Sequence, residues 1–360
     1  MQVDKEETRS SRKLGRKAKF QVGVALTKSA LSHSFGGFLN MQVPVRHSIS
    51  VVTPVYNGEA SIAELCRRLS EVLPRIATEY EIIFVNDDSR DRSWEIISEL
   101  SSRLATVRGL NLMRNYGQHN ALLCGIRAAK YDVVVTMDDD LQHPPEEISR
   151  LLTRLVDGID VVYGTPKAGR HAALRVLGSR ITRMALSMAI GRELSKNVSA
   201  FRVFRTRLRE AFANYESSFV SIDVLLTWGT TRISAVTVDF EPRYSGSSTY
   251  TFMKLLRLAL DMMTGFSTAP LQLASLIGFG CTLFGLAVFL YVSIRYCLEG
   301  SVPGFPFLAS IIAIFSGAQL FALGVIGEYL ARMHFRTMNR PNYTIREIAE
   351  GEHSKTQRQL

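Results

Sequence analysis

The chain has 360 residues, 46% hydrophobic and 21% charged, enough to bury one large core plus a smaller unit and too apolar for a disordered tail protein. A formal net charge of +10 directs attention to polyanionic partners: nucleic acid, an anionic lipid surface or a phosphorylated substrate. Cys66, Cys124, Cys281 and Cys297 lie far apart with no C-x-x-C pair and no Cys/His cluster, which excludes a disulfide framework or zinc site and fits a reducing compartment.

Residues 1–47 carry nine Lys/Arg against three Asp/Glu and no apolar run long enough for a signal peptide, so they read as a basic, disordered extension, with Met41 as an alternative start. From Ser48, β-rich runs alternate with helical patterns. Ile49–Val52 precedes a helix from Glu59, Glu81–Val85 one from Arg92, Val107–Met113 a third, and Asp132–Met137 continues the series. This alternation predicts an α/β domain over 48–249 with a mostly parallel central sheet, whose ligands gather at the carboxyl ends of the strands. Polar clusters follow each of the four: Thr53–Gly58, Asn86–Ser89, Arg114–Gln118 and Asp138–Gln142. Further strands are expected at Asp160–Gly164 and Val236–Phe240, with a basic helix over Arg170–Ala189 between them.

Residues 250–268 read as an amphipathic juxtamembrane helix, with Phe252, Leu255, Leu256, Ala259 and Met263 on one side and Lys254, Arg257 and Asp261 on the other. Region 269–331 then holds two apolar stretches, about 271–294 and 306–330, each long enough to span a bilayer; the competing reading is a buried hairpin. Arg295 and Glu299 are the only charges between them, whereas Lys254 and Arg257 precede the first and Arg332, Arg336, Arg340 and Arg346 follow the second. By the positive-inside rule the catalytic domain and both termini face the cytoplasm, and 332–360 forms a cytoplasmic tail.

The run Asp138-Asp139-Asp140 sits at a strand end, where adjacent carboxylates repel unless a cation compensates them. Asp138 and Asp140, with the amide oxygen of Gln142, suit a hard divalent ion shared with substrate phosphates. Asp87 and Asp88 could accept hydrogen bonds from a nucleobase or ribose, beside a wall of Thr53, Pro54 and Tyr56; a turn or N-cap role accounts for one of the two aspartates only. Neither a P-loop nor a G-x-G-x-x-G after a strand is present, which argues against kinase and dehydrogenase readings.

In order along the chain, TPVYN, VNDDSRDRS, RNYGQHNALLCGI, MDDDLQHPPE, SAFRVFR and RYSGSSTYTFMKLLRLALD followed by FSTAPL resemble the motifs of the polyprenyl-phosphate glycosyltransferases of glycosyltransferase family 2, a group that includes bactoprenol glucosyltransferases and dolichyl-phosphate mannose synthases. The likeness runs from about Ser48 to Arg340. It implies a GT-A (Rossmann-like) nucleotide-binding domain and the inverting, metal-dependent transfer of a hexose to polyprenyl (undecaprenyl) phosphate for cell-envelope glycan modification. The first donor it points to is UDP-glucose.

By the same resemblance Pro54, Tyr56, Asp87, Asp88 and Asp138 line the nucleotide sugar, with Arg243, Gly246 and Ser248 in a segment closing over it. Asp138, Asp140 and Gln142 would hold Mg²⁺ or Mn²⁺. Arg175 and Ser179 would grip the acceptor phosphate, and Arg202 would face both phosphates; Asp140, Arg202 and Arg175 would carry the catalysis. The implied partners are nucleotide sugar, polyprenyl phosphate and the inner (plasma) membrane, with a homo-oligomer compatible and no nucleic acid. Three positions depart from the pattern: Gly58 where many relatives carry an acidic residue, Pro166 where an arginine is common, and Thr249 in place of a lysine. They are the support for the alternative, a non-catalytic membrane subunit that aids lipid-linked sugar translocation. A processive polysaccharide synthase would need more spans and a Q-x-x-R-W motif, and nucleic-acid binding leaves the spans unexplained.

Overall fold

The computed structural model describes residues 47–166, 187, 190–195, 197–217, 219–242, 263–299, 304–338 and 340–351. The expected N-terminal extension up to residue 46, nearly all of the basic helix over 170–189 and most of the amphipathic helix over 250–268 lie outside these residues.

The first strand, β1 (His47–Val55), is buried along seven consecutive positions, as a strand covered on both faces must be. Helix α1 (Ile62–Ile76) follows; its Ile62, Leu65, Cys66, Leu69 and Leu73 recur at helical spacing and face the sheet. Then come β2 (Ala77–Asn86), α2 (Ser93–Arg103), β3 (Val107–Leu112), α3 (Gln118–Ala128) and β4 (Val133–Thr136). Past β4 lie a short 3-10 turn and α4 (Ile148–Arg154), β5 (Val161–Pro166), β6 (Arg202–Arg205), α5 (Ile222–Gly229) and β7 (Ile233–Val238). Two long helices, α6 (Ala269–Glu299) and α7 (Phe305–Thr337), precede a last strand, β8 (Ile345–Glu350).

All eight strands form one sheet in the order β7-β5-β6-β4-β1-β2-β3-β8. Strands β1, β2, β3 and β4 run parallel, while β6 and β8 are antiparallel to their neighbours. The hydrophobic cores lie on the two faces of the sheet, α1 and α4 contributing to one and α3 and α5 to the other. Because β2 and β4 flank β1 and their connections pass on opposite faces, a crevice opens at the carboxyl ends of β1 and β4, where an open α/β sheet binds its ligands.

Helices α6 and α7 are long and apolar, and within them Ala269–Leu298 and Ile314–Thr337 are long and apolar enough to cross a membrane and almost wholly uncovered. A hairpin inside a soluble core would be covered; these helices instead present Phe279, Phe289, Leu290, Leu320 and Leu323 outward. They touch where Phe315 lies against Gly285, whose lack of a side chain admits the ring.

Of the region 332–360, expected as a tail, residues 342–350 lie against the domain. Asn342 donates to the Tyr215 carbonyl at 2.6 Å, Tyr343 lies under the Arg127 guanidinium, and β8 pairs antiparallel with β3. At that edge Arg108 is buried between two carboxylates, Glu81 at 2.9 Å and Glu350 at 2.8 Å. Glu81 also accepts hydrogen bonds from Ser50 Oγ and the Lys130 N–H, both at 2.7 Å.

Candidate active site

Three loops meet at the crevice, and hydrogen bonds between distant residues fix their spacing. The Asn57 N–H donates to Ser89 Oγ at 2.9 Å, and the Arg90 N–H donates back to Asn57 Oδ1 at 2.9 Å. Gln118 Nε2 donates to Asp138 Oδ1 at 2.7 Å, tying α3 to the acidic run. Asn57, Asp88 and Leu141 all have positive φ, at 55°, 57° and 59°. They are the three non-glycine residues in that region among the described ones, and all three stand on this rim, where a left-handed backbone costs energy that the surrounding contacts must offset.

Asp87 and Asp88 have different tasks. Asp87 is buried and accepts the backbone N–H groups of Tyr116 and Gly117 at 2.7 and 2.8 Å, holding the RNYG turn at the start of α3. Burial pushes its carboxyl up, against the lowering pull of the two N–H groups. Each oxygen keeps a second lone pair for a ligand. Asp88 is partly exposed, and Arg346 of β8 reaches it at 3.5 Å while donating to the Met113 carbonyl at 2.8 Å. Tyr56, 48% exposed, offers its ring at the end of β1.

The acidic run follows five buried residues, the four of β4 and Met137, so its position is set by the sheet. Asp138, Asp139 and Asp140 are partly exposed, and Asp140 Oδ1 accepts the Gln142 N–H at 3.1 Å. No three His, Cys, Asp or Glu side chains converge as a metal cage among the described residues. Two carboxylates and an amide are instead the donor set for a hard cation that takes its other ligands from substrate phosphates and water, and the residues fit such an ion. Asp139 turns toward β1, where a β-carbon added to Gly58 would collide with its carboxylate. An acidic side chain at 58 would need the same space, which gives a physical reason for the glycine. Next in the chain His143 is buried against Phe201 and Phe240; burial lowers its imidazole to about 4, so it is neutral at physiological pH.

A family model, Glycosyl transferase family 2, matches residues 50–215. A Shewanella sediminis protein named undecaprenyl-phosphate 4-deoxy-4-formamido-L-arabinose transferase is 34% identical over 311 residues, covering 85% of this chain and 94% of the relative. The chain belongs to the polyprenyl-phosphate glycosyltransferases of family 2. Relatives with the same name from Pseudomonas paraeruginosa (36% identical, 83% of this chain, 90% of the relative) and Yersinia enterocolitica (34%, 87% and 97%) are similar to this glycosyltransferase over a comparable span. Among solved structures, Mycobacterium tuberculosis glucosyl-3-phosphoglycerate synthase shares 20% identity at a TM-score of 0.44 over 61% of this chain and 78% of its own, too remote to bear on the site. The central sheet is that of the GT-A fold expected of the family.

Of the site residues anticipated in this glycosyltransferase, the structure brings Pro54, Tyr56, Asp87, Asp88, Asp138, Asp140 and Gln142 to one rim. Arg175, Ser179, Arg243, Gly246 and Ser248 lie outside the described residues. Arg202 stands on β6 opposite Thr136, but its side chain is buried and turned inward. It donates from Nε to Thr136 Oγ1 at 2.9 Å and forms an ion pair with Asp223, which also accepts the Tyr163 hydroxyl at 3.1 Å. So engaged, the guanidinium braces the end of β4 beneath the acidic run. Asp223, Tyr163 and Arg346 had no signal in the sequence; each lies 20 or more positions from the residue it meets, and only the sheet order unites them.

Proposed function

We propose that this glycosyltransferase moves a sugar from a nucleotide diphosphate donor onto polyprenyl phosphate at the cytoplasmic face of the membrane, with inversion at the anomeric carbon, as a step in cell-envelope glycan modification. The observation that carries the reading is the convergence of Tyr56, Asp88 and the Asp138–Asp140 run at the crevice of a domain joined to two apolar helices. An oxygen of the acceptor phosphate forms the new bond to the anomeric carbon while the bond to the departing diphosphate breaks, the electron pair leaving with the diphosphate. The nucleophile is already an anion, so no base is required. Asp138 and Asp140, with Gln142, would hold the divalent cation, Mg²⁺ or Mn²⁺, which when bound offsets charge on the departing diphosphate. Arg175 and Ser179 would orient the acceptor.

The names of the relatives support 4-deoxy-4-formamido-L-arabinose as the sugar, ahead of the glucose expected from the bactoprenol resemblance. The test is incubation of the purified protein with undecaprenyl phosphate, Mg²⁺ or Mn²⁺ and a panel of nucleotide sugars holding both candidates, read by mass spectrometry of the lipid. Formation of the arabinosyl lipid supports the reading; a product from glucose alone reverses the order of donors, and no product from any donor rejects the function.

Arg346 follows the membrane helices yet meets Asp88 at the rim. Arg346→Ala is therefore expected to raise the KM for the nucleotide sugar about fivefold, the effect of one charge-assisted hydrogen bond of about 1 kcal/mol, with kcat held within twofold. Steady-state kinetics at saturating lipid checks it.

Because β7 and β8 belong to one sheet and two spans lie between them, the chain leaves and re-enters on the same side of the membrane, and Arg332, Arg336, Arg340 and Arg346 after the second span support the cytoplasmic side. Cys297, exposed near the far end of α6, then faces the opposite side. Cys66 and Cys124 are buried, and burial pushes the Cys124 thiol up to about 12, so both are inert while folded. A membrane-impermeant maleimide added to intact cells is expected to label Cys297, and Cys297→Ser to abolish the label.

A further inference from the structure

A cavity of about 410 Å³ lies where the catalytic domain meets the start of α6 and the end of α7. On the domain side it is lined by Phe219 and by Trp228, which is 51% exposed; on the helix side by Ser267, Tyr329, Arg332 and Arg336. We infer that this cavity seats the phosphate headgroup of an anionic phospholipid from the surrounding bilayer, a site separate from the rim where sugar transfer is proposed. The inference rests on α6 and α7 lying in the membrane and not on the transfer reaction.

The position along α7 comes first. From Phe305 to Gly327 the helix covers about 34 Å at 1.5 Å per residue, the thickness of a hydrocarbon core, and carries no charged residue. Glu328, Arg332 and Arg336 follow at successive turns, so the cavity stands at the level of the lipid phosphates. The chemistry comes second. Arg332 and Arg336 stand one turn apart on one helix face, and guanidinium groups suit phosphate oxygens. Arg332 also pairs with Glu328 at 2.8 Å, which fixes its stem, and its Nη1 would lie 3.8 Å from a β-carbon at Gly265. Ser267 Oγ accepts the Ala269 N–H at 3.1 Å, so α6 begins at the cavity wall, and Tyr329 Oη donates to the Ser267 carbonyl at 2.5 Å, joining the two helices there. The rings complete the fit. Phe219 and Phe266 meet at 5.4 Å with their planes tilted by 49°, and aromatic residues with polar neighbours are what a protein places at the membrane–water boundary.

The occupant has a route to the catalytic domain. Val224 lines the cavity, and the preceding residue, Asp223, holds Arg202 beneath the acidic run. A lipid seated against α5 steadies that helix.

The experiment uses full-length protein in nanodiscs of phosphatidylcholine alone or with phosphatidylglycerol, followed by native mass spectrometry of retained lipid after release. Retention of phosphatidylglycerol over phosphatidylcholine is expected in the wild type, falling about fivefold for each arginine removed in Arg336→Gln and in Arg332→Gln/Arg336→Gln. Competition arms identify the source of the phosphate. Undecaprenyl phosphate displacing phosphatidylglycerol at equimolar amounts would assign the cavity to the acceptor, and displacement by inorganic phosphate at similar concentrations would reduce it to a general anion hole; either overturns the proposal. Equal retention of the two phospholipids by the wild type, which needs no variant to fold, overturns it as well.

Discussion

Asp140→Asn is expected to lower sugar transfer by at least about a hundredfold while the protein folds normally, because the amide keeps the shape of the side chain and removes the charge that would hold the proposed cation on the donor diphosphate. The site cannot easily adapt. Val133–Thr136 are buried and paired on both sides, with β1 and with β6, so the acidic run cannot slide along the strand to bring another carboxylate into place. Asp139→Asn is the informative contrast: Asp139 turns toward Gly58, and its change is expected to cost less than Asp140→Asn. The measurement is kcat/KM for the transfer under saturating Mg²⁺, with circular dichroism as the folding control. Full activity in the Asp140→Asn protein would remove that residue from the proposed cation site.

The largest effect on stability is expected from Arg108→Ala. The guanidinium is the shared partner of Glu81 and Glu350, and all three side chains are at most 6% exposed. Its removal leaves two carboxylates facing each other out of water, a loss of about 3–5 kcal/mol for a broken buried pair. Arg67 provides the comparison, since it also bridges two glutamates, Glu64 and Glu71, but with its side chain 56% exposed; Arg67→Ala should leave the unfolding midpoint nearly unchanged. Trp94 packs beside Gly109 on β3, so its fluorescence reports this edge in a denaturant titration. If both alanine variants unfold at the same denaturant concentration, the buried triad is not what holds β8 in place.

The parallel centre of the sheet was legible because β1, β2, β3 and β4 are apolar, β-rich runs that each stop at a polar cluster, and the same clusters marked the rim. Helix α1 announced itself by its period. The outer strands were less clear. Strands expected at Asp160–Gly164 and Val236–Phe240 stand at Val161–Pro166 and Ile233–Val238, where their mutual pairing places them. Neither β6, RVFR, nor β8, IREIAE, carries the alternation of a strand, since its charged residues find partners inside the fold: Arg202 with Asp223 and Glu350 with Arg108. Of the Asp87-Asp88 pair, the sequence could say that one would serve a turn; which one depends on Tyr116 and Gly117 arriving from 29 and 30 positions away.

The order in which the chain is made gives β8 a further meaning. A ribosome completes β1 to β7 first, then both apolar helices, and only afterwards the strand that covers the edge of β3. Until Ile345–Glu350 emerge, β3 is an open edge and Arg108 lacks one of its two carboxylates. Arg346, which meets Asp88 at the mouth of the crevice, arrives at the same moment. The β3 edge and the Asp88 contact at the crevice are therefore the last parts of the sheet to be completed as the chain is made.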